Sequence, residues 1–131
     1  MRKVLNSFGQ RAVPAGAGAL LVAAAIVLAG PQAAARSKIA SCRIVSGGKV
    51  AFSGRCRFTA ERDGSFFLEP ARGRGRLFGA ILSVSVTIVG RGVAEVRGLT
   101  SAGVSSHWGR VVRSKRDRAC WVGTDIRVCA R

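Results

Sequence analysis

Residues 81–99 read ILSVSVTIVGRGVAEVRGL, and their alternation decides the fold class. Leu82, Val84, Val86 and Ile88 alternate with Ser83, Ser85 and Thr87, which gives a strand one apolar face and one polar face, with no helical stripe. A second strand is expected over residues 93–99, and the connecting Gly90-Arg91-Gly92 can be tested by register. A three-residue loop sets Ile88 opposite Ala94, Val86 opposite Val96 and Val84 opposite Gly98 inside, with Thr87 opposite Glu95 and Ser85 opposite Arg97 outside. A two-residue loop would set Val86 against Glu95 and mix the faces. The longer loop is therefore expected, with Gly92 supplying the left-handed conformation it requires.

The same test applies on either side. Around Ser46-Gly47-Gly48-Lys49, a three-residue loop puts Cys42, Ile44, Val50, Phe52, Cys56 and Phe58 on one face, and Arg43, Lys49, Ser53, Arg55 and Arg57 on the other. Cys42 then opposes Gly54 and meets Cys56 only on the diagonal, at roughly 7 to 8 Å in a regular ladder. Either a bulge at Gly54 shortens that gap or these cysteines bridge to distant partners. Near the C-terminus, a two-residue loop at Thr124-Asp125 sets Cys120 opposite Cys129 and Trp121 opposite Val128, so this pairing is the better supported bridge. Further strands are expected over residues 65–69 and 108–112. Seven or eight short strands between glycine-rich turns predict an all-β domain, an antiparallel barrel or a sandwich.

Four cysteines, all after residue 35, suit two disulfides in an exported chain. The gaps of thirteen and eight residues within the two pairs are too wide for a zinc site, with only His107 to assist. Residues 1–35 have the order of a signal peptide: basic Arg2, Lys3 and Arg11, the apolar run ALLVAAAIVLA over 19–29, a Gly30-Pro31 break, then Ala33-Ala34-Ala35 before Arg36. The rival is a retained anchor over 12–35, but its apolar centre of 11 residues is short of the ~20 needed to span a bilayer. Pro31 stands where a lipid-bearing cysteine would be required. The expected organisation is a removed signal peptide, 1–35, and a disulfide-stapled β domain, 36–131, periplasmic or extracellular.

The last 24 residues, WGRVVRSKRDRACWVGTDIRVCAR, carry Trp108-Gly109, the basic run 113–117 and Ala119-Cys120-Trp121 closed by Cys129. This segment resembles the C-terminal segments of small uncharacterised secreted bacterial proteins. The resemblance covers under a fifth of the chain; it implies a bacterial exported origin and no particular activity.

The chain of 131 residues holds 22 Lys+Arg against 6 Asp+Glu, a formal charge of +16. Without Arg2, Lys3 and Arg11 the domain keeps 19 basic residues and all 6 acids, or +13. That exceeds the roughly 2 to 8 that solubility asks of a small domain, although 18 Arg to 4 Lys with abundant Ala and Gly is also what a GC-rich genome gives. Arg110, Arg113, Lys115, Arg116 and Arg118 form one cluster, and Arg72, Arg74 and Arg76 in a glycine-spaced loop form another. Guanidinium groups can hold phosphate or sulfate oxygens bidentately. Trp108 flanks the first cluster and is the candidate for stacking on a sugar or base. Trp121 is expected to face the core with Ile126 and Val128.

Catalytic patterns are thin. His107 sits beside Ser105 and Ser106, without a G-x-S-x-G elbow. Glu61, Asp63, Glu69 and Glu95 have no spacing that favours a carboxylate pair, and Gly73-x-Gly75 does not continue into a phosphate loop. No enzyme, cofactor or metal is therefore expected. The leading expectation is a non-catalytic binding module for an anionic envelope component, such as lipopolysaccharide phosphate, wall polymer or extracellular nucleic acid. The alternative is a protein-directed inhibitor or envelope accessory factor on a rigid β scaffold. Export sets cytoplasmic nucleic acid aside.

Overall fold

The computed structural model describes residues 36–131 together with Gly16 and Gly18; the expected signal segment, 1–35, otherwise lies outside the described residues. Eight strands follow one another: β1 (Arg36–Ser46), β2 (Lys49–Ala60), β3 (Phe66–Pro70), β4 (Ile81–Gly90), β5 (Val93–Thr100), β6 (Ser105–Arg113), β7 (Cys120–Val122) and β8 (Ile126–Ala130). Each pairs antiparallel with the next, and β8 returns to pair with β1 through Cys42 opposite Ala130 and Ile44 opposite Val128. The sheet is a closed barrel, which leaves no edge strand open to another chain. No helix occurs among the described residues.

The register expected for β4 and β5 holds from Val84 opposite Gly98 to Ile88 opposite Ala94, but not through the expected three-residue loop: Gly90 pairs with Val93, Arg91 and Gly92 make a two-residue turn with Gly92 at φ +65°, and a bulge at Val89 restores the register. Leu82, expected to continue the inward row, instead falls at a bulge between Ile81 and Ser83 and is half-buried. In the first hairpin, Cys42 does oppose Gly54. That register arises differently from the expected loop: Gly47 and Gly48 make a two-residue turn with φ +56° and +76°, and the register shifts between Ile44 and Val45, leaving Ala51 unpaired. Beyond the bulge the faces exchange, so Val50 points outward and is 49% exposed. The third hairpin pairs Cys120 with Cys129 and Trp121 with Val128, as its turn requires.

The inward row of every long strand fills the barrel. Ile44, Leu68, Val84, Val86, Val96, Val111 and Val128 are fully buried, with Ala40, Ala94 and Cys56 between them. The interior is therefore packed side chains, as expected for eight strands. Cys42–Cys56 bridges the diagonal inside this core at a Cα separation of 5.9 Å. No bulge at Gly54 is involved, because Cys42–Gly54 and Ala40–Cys56 pair in one continuous ladder; the twist of the closed sheet shortens the diagonal. Cys120–Cys129 joins directly opposed residues 4.0 Å apart at Cα. Trp121 and Val128 point inward, so alternation puts this second bridge on the outer side of the wall, where Cys120 and Cys129 are nonetheless buried.

Antiparallel order sorts the connections by end. One end carries the β1–β2, β3–β4, β5–β6 and β7–β8 connections, tied by Gly47 N to Asp125 O at 2.9 Å and Ser101 N to Ala80 O at 2.8 Å. The other end carries β2–β3, β4–β5 and β6–β7, tied by Arg113 N to Gly92 O at 2.9 Å. The long β3–β4 connection stoppers the first end with buried Leu77 and with Phe78, whose ring centroid is 6.2 Å from both Phe52 and Trp108.

Candidate functional site

The second of these ends holds a cleft of about 600 Å³ whose walls include Asp63, Gly64, Arg91, Arg113, Lys115, Arg118 and Trp121. The β6–β7 loop that supplies most of the cations is held by its own backbone. Ser114 N donates to Cys120 O at 2.9 Å and Cys120 N to Asp117 O at 2.9 Å, while Asp117 N reaches Ser114 Oγ at 3.2 Å. Asp117 Oδ1 accepts from Ala119 N at 3.1 Å, and the same carboxylate is ion-paired with Arg131. The hydrogen bond from Arg131, assisted by the Ala119 amide, holds the Asp117 carboxyl below its ordinary value of 3.8.

That pairing matters for the cluster. Asp117 is the one acid within the basic run, and Arg131 occupies it. Lys115, Arg116 and Arg118 have no carboxylate within 4.0 Å among the described residues. Arg113 is fixed more firmly: Nε donates to Arg118 O at 3.0 Å, and the guanidinium lies 5.5 Å from the Trp121 ring centroid. Trp121 is 5% exposed, so it belongs to the core and also walls the cleft.

On the facing side, Asp63 closes a turn on Ser65. Its Oδ1 accepts from Ser65 N at 2.8 Å and its Oδ2 from Ser65 Oγ at 2.9 Å, while Ser65 Oγ accepts from Ile88 N at 2.9 Å. The Ser65 backbone and hydroxyl bonds hold the Asp63 carboxyl below 3.8. Buried Ser65 thus clips the β2–β3 loop to β4 and turns both carboxylate oxygens onto protein donors. The cleft sets four cations, Arg91, Arg113, Lys115 and Arg118, against this one acid.

The other residues singled out in the sequence lie elsewhere. Arg110 projects from β6 opposite Glu95, on the barrel wall, and Arg116 is exposed without lining the cleft. Arg72, Arg74 and Arg76 sit toward the opposite end, where with Arg55, Phe52 and Leu77 they line a second cleft of about 410 Å³. Arg57 supports that loop from below, its Nη2 3.5 Å from Ala71 O. Trp108, the expected stacking residue, is half-buried against Phe78 in the stoppered end and lines neither cleft.

His107 Nε2 is 3.6 Å from Glu95 Oε2 on the barrel wall. No group of three metal-ligating side chains occurs among the described residues. Arg91 is the cleft residue that sequence reading missed. The signal was present, because the Gly-Arg-Gly hairpin puts Arg91 at a turn; the fold was needed to put that turn beside residues 113–118. Comparison with known proteins finds no similar family, curated protein or solved structure.

Proposed function

We propose that the protein is an exported, non-catalytic module that binds an anionic component of the cell envelope, with phosphate or sulfate groups as the recognised chemistry. The observation that carries this reading is the cleft of about 600 Å³ in which Arg91, Arg113, Lys115 and Arg118 converge with a single acid whose oxygens are already bonded. Convergence of cations in a concave, partly apolar site raises the local anion concentration beyond what scattered charge achieves. Arg113, 5.5 Å from the Trp121 ring centroid, presents its guanidinium fork to the cleft, a geometry suited to phosphate or sulfate oxygens. Two disulfides suit an oxidising compartment, the setting in which envelope phosphates would be met.

The test is a salt titration of the oxidised protein with lipopolysaccharide and with a sulfated polymer, against an unrelated protein of equal charge. The expected result is affinity above the control at physiological salt, falling steeply as salt rises, and lost when Arg91, Lys115 and Arg118 are changed together to Gln. Affinity equal to the control would make the charge generic and the assignment wrong.

A further inference from the structure

Three basic clefts adjoin one another over the barrel surface. Lys115 and Arg118 of the first cleft stand on the β6–β7 loop, and the same loop turns Asp117 toward a further cleft of about 410 Å³ on the outer wall, lined also by Ser41, Arg43, Ser53, Arg127 and Arg131. Strand register carries this wall cleft onward. Cys120 pairs with Cys129, Cys129 with Arg43 and Arg43 with Ser53, one outward row across β7, β8, β1 and β2, roughly 14 Å wide at about 4.8 Å between strands. Arg55, the next outward residue on β2, lines the cleft of Arg72, Arg74 and Arg76.

The cations along this path are free to take a ligand. Arg43, Arg55 and Arg127 are exposed and have no carboxylate within 4.0 Å among the described residues. The acids beside them are engaged or set aside: Asp117 is paired with Arg131, Glu69 faces Arg57 in register, and Asp125 sits at the hairpin turn beyond Arg127. Elsewhere on the wall the basic surface is interrupted, since Arg97 and Arg110 line none of the three clefts and Glu95 stands opposite Arg110.

The path offers little to an aromatic base. Phe52 is half-buried and stacked on Phe78, and Trp121 is 5% exposed beneath Arg113, so the stacking platforms that single-stranded nucleic acid uses are lacking. The wall cleft instead sets the hydroxyls of Ser41 and Ser53 among guanidinium groups, donors and acceptors suited to sugar hydroxyls between anionic substituents.

We propose that the three clefts form one track, and that its occupant is a linear glycan bearing sulfate or phosphate on successive units, laid from the first cleft across β8, β1 and β2 to Arg72, Arg74 and Arg76. The proposal rests on the anion-binding reading above and names the ligand class of that site: a chain that fills successive clefts, where a compact headgroup would fill one. Each further anion on the chain is delivered at high local concentration by those already seated, and each releases counterions of its own.

The experiment measures binding of the oxidised protein, over a range of salt, to a heparin tetrasaccharide, a heparin dodecasaccharide and an oligothymidylate matched in charge to the dodecasaccharide. Two charge-matched pairs of substitutions are compared, Arg43→Gln with Arg127→Gln on the track and Arg97→Gln with Arg110→Gln off it. None of these four side chains makes a hydrogen bond or ion pair, so both variants should melt as the parent does. The track pair is expected to lower dodecasaccharide affinity about tenfold or more and to flatten its salt dependence, with tetrasaccharide binding in the first cleft nearly unchanged. The off-track pair is expected to leave both affinities close to the parent's. Dodecasaccharide affinity that survives the track pair, or falls equally in the off-track pair, overturns the track. The single-cleft reading would still stand in that case if Arg91→Gln, Lys115→Gln and Arg118→Gln together abolished binding. Tighter binding of the oligothymidylate than of the dodecasaccharide overturns the glycan assignment in favour of nucleic acid. No binding of either oligosaccharide by the parent overturns the anion-binding reading with it.

Discussion

The indole of Trp108 occupies the space that a side chain at Gly98 would fill: a Cβ built on Gly98 would lie 2.6 Å from Trp108 Cε2 and 2.7 Å from Cη2. The two residues meet because β6 carries a bulge there. Val96 opposes Gly109 and Arg97 opposes His107, which leaves Trp108 unpaired, and Gly109 takes φ +127°. Gly98 faces inward and is buried, so the ring closes over bare backbone in the barrel mouth. Gly98→Val should therefore overpack the mouth, cost about 1 to 3 kcal/mol and push Trp108 into water. Chemical denaturation would read the loss and a red-shifted tryptophan emission the displacement; parent-like stability with unshifted emission would contradict this packing.

Bulges of this kind mark the limit of what the sequence discloses. Strand count, antiparallel order and the registers around Gly92 and Thr124-Asp125 were legible because alternation and turn chemistry are local. A single inserted residue exchanges the faces of everything beyond it, which is why Val50 and Leu82 were misplaced and why β6 alternates poorly around Trp108. The choice of barrel over sandwich depends on β1 pairing with β8, residues about eighty positions apart, and no local pattern records it. The basic runs 72–76 and 113–118 were legible as runs. Their separation to opposite ends, the inclusion of Arg91 and the capture of Asp117 by Arg131 are long-range consequences of closure.

The two bridges should contribute unequally. Their sequence separations of 14 and 9 correspond to about 3 kcal/mol and slightly less by loop-closure entropy; Cys42–Cys56 also packs within the barrel core, whereas Cys120–Cys129, though buried as well, lies outside that core cluster. Replacing Cys42 and Cys56 with Ala should lower the melting temperature more than the same change at Cys120 and Cys129. Full reduction should remove about 5 to 6 kcal/mol, a large part of a domain's usual 5 to 15. Thermal melts of both double variants and of the reduced parent would check this, and melting unchanged by reductant would show that the staples are dispensable.

Acid should loosen the second end of the barrel first. Asp63 and Asp117 are both held below their ordinary value of 3.8 in the folded protein, by bonds from Ser65 and from Arg131. The unfolded chain therefore binds more protons in that range, and stability falls as pH drops from about 4 through the lower folded values. Above about 5 the two groups should contribute no pH dependence. Asp63→Asn removes one of the titrating groups and should flatten the acid limb of a denaturation midpoint plotted against pH. A slope as steep as the parent's would assign the acid sensitivity elsewhere.

Arg113 and Lys115 stand two positions apart on the same cleft but should fail differently when replaced. Arg113 donates to the Arg118 carbonyl and lies over Trp121, so its charge is tied into the loop that presents the other cations. Arg113→Ala should cost about 1 kcal/mol in lost stacking and hydrogen bonding, alter Trp121 emission and weaken anion binding together. Arg113→Lys should restore the charge without the planar donor fork, leaving stability and emission unrestored. Lys115 is exposed and has no ion-pair partner among the described residues. Lys115→Ala should leave stability within about 0.5 kcal/mol and lower affinity with a shallower salt dependence. Paired measurements of unfolding and of binding to lipopolysaccharide separate the two behaviours. If Lys115→Ala proved as destabilising as Arg113→Ala, the cleft would be a folding element whose charges merely happen to face solvent.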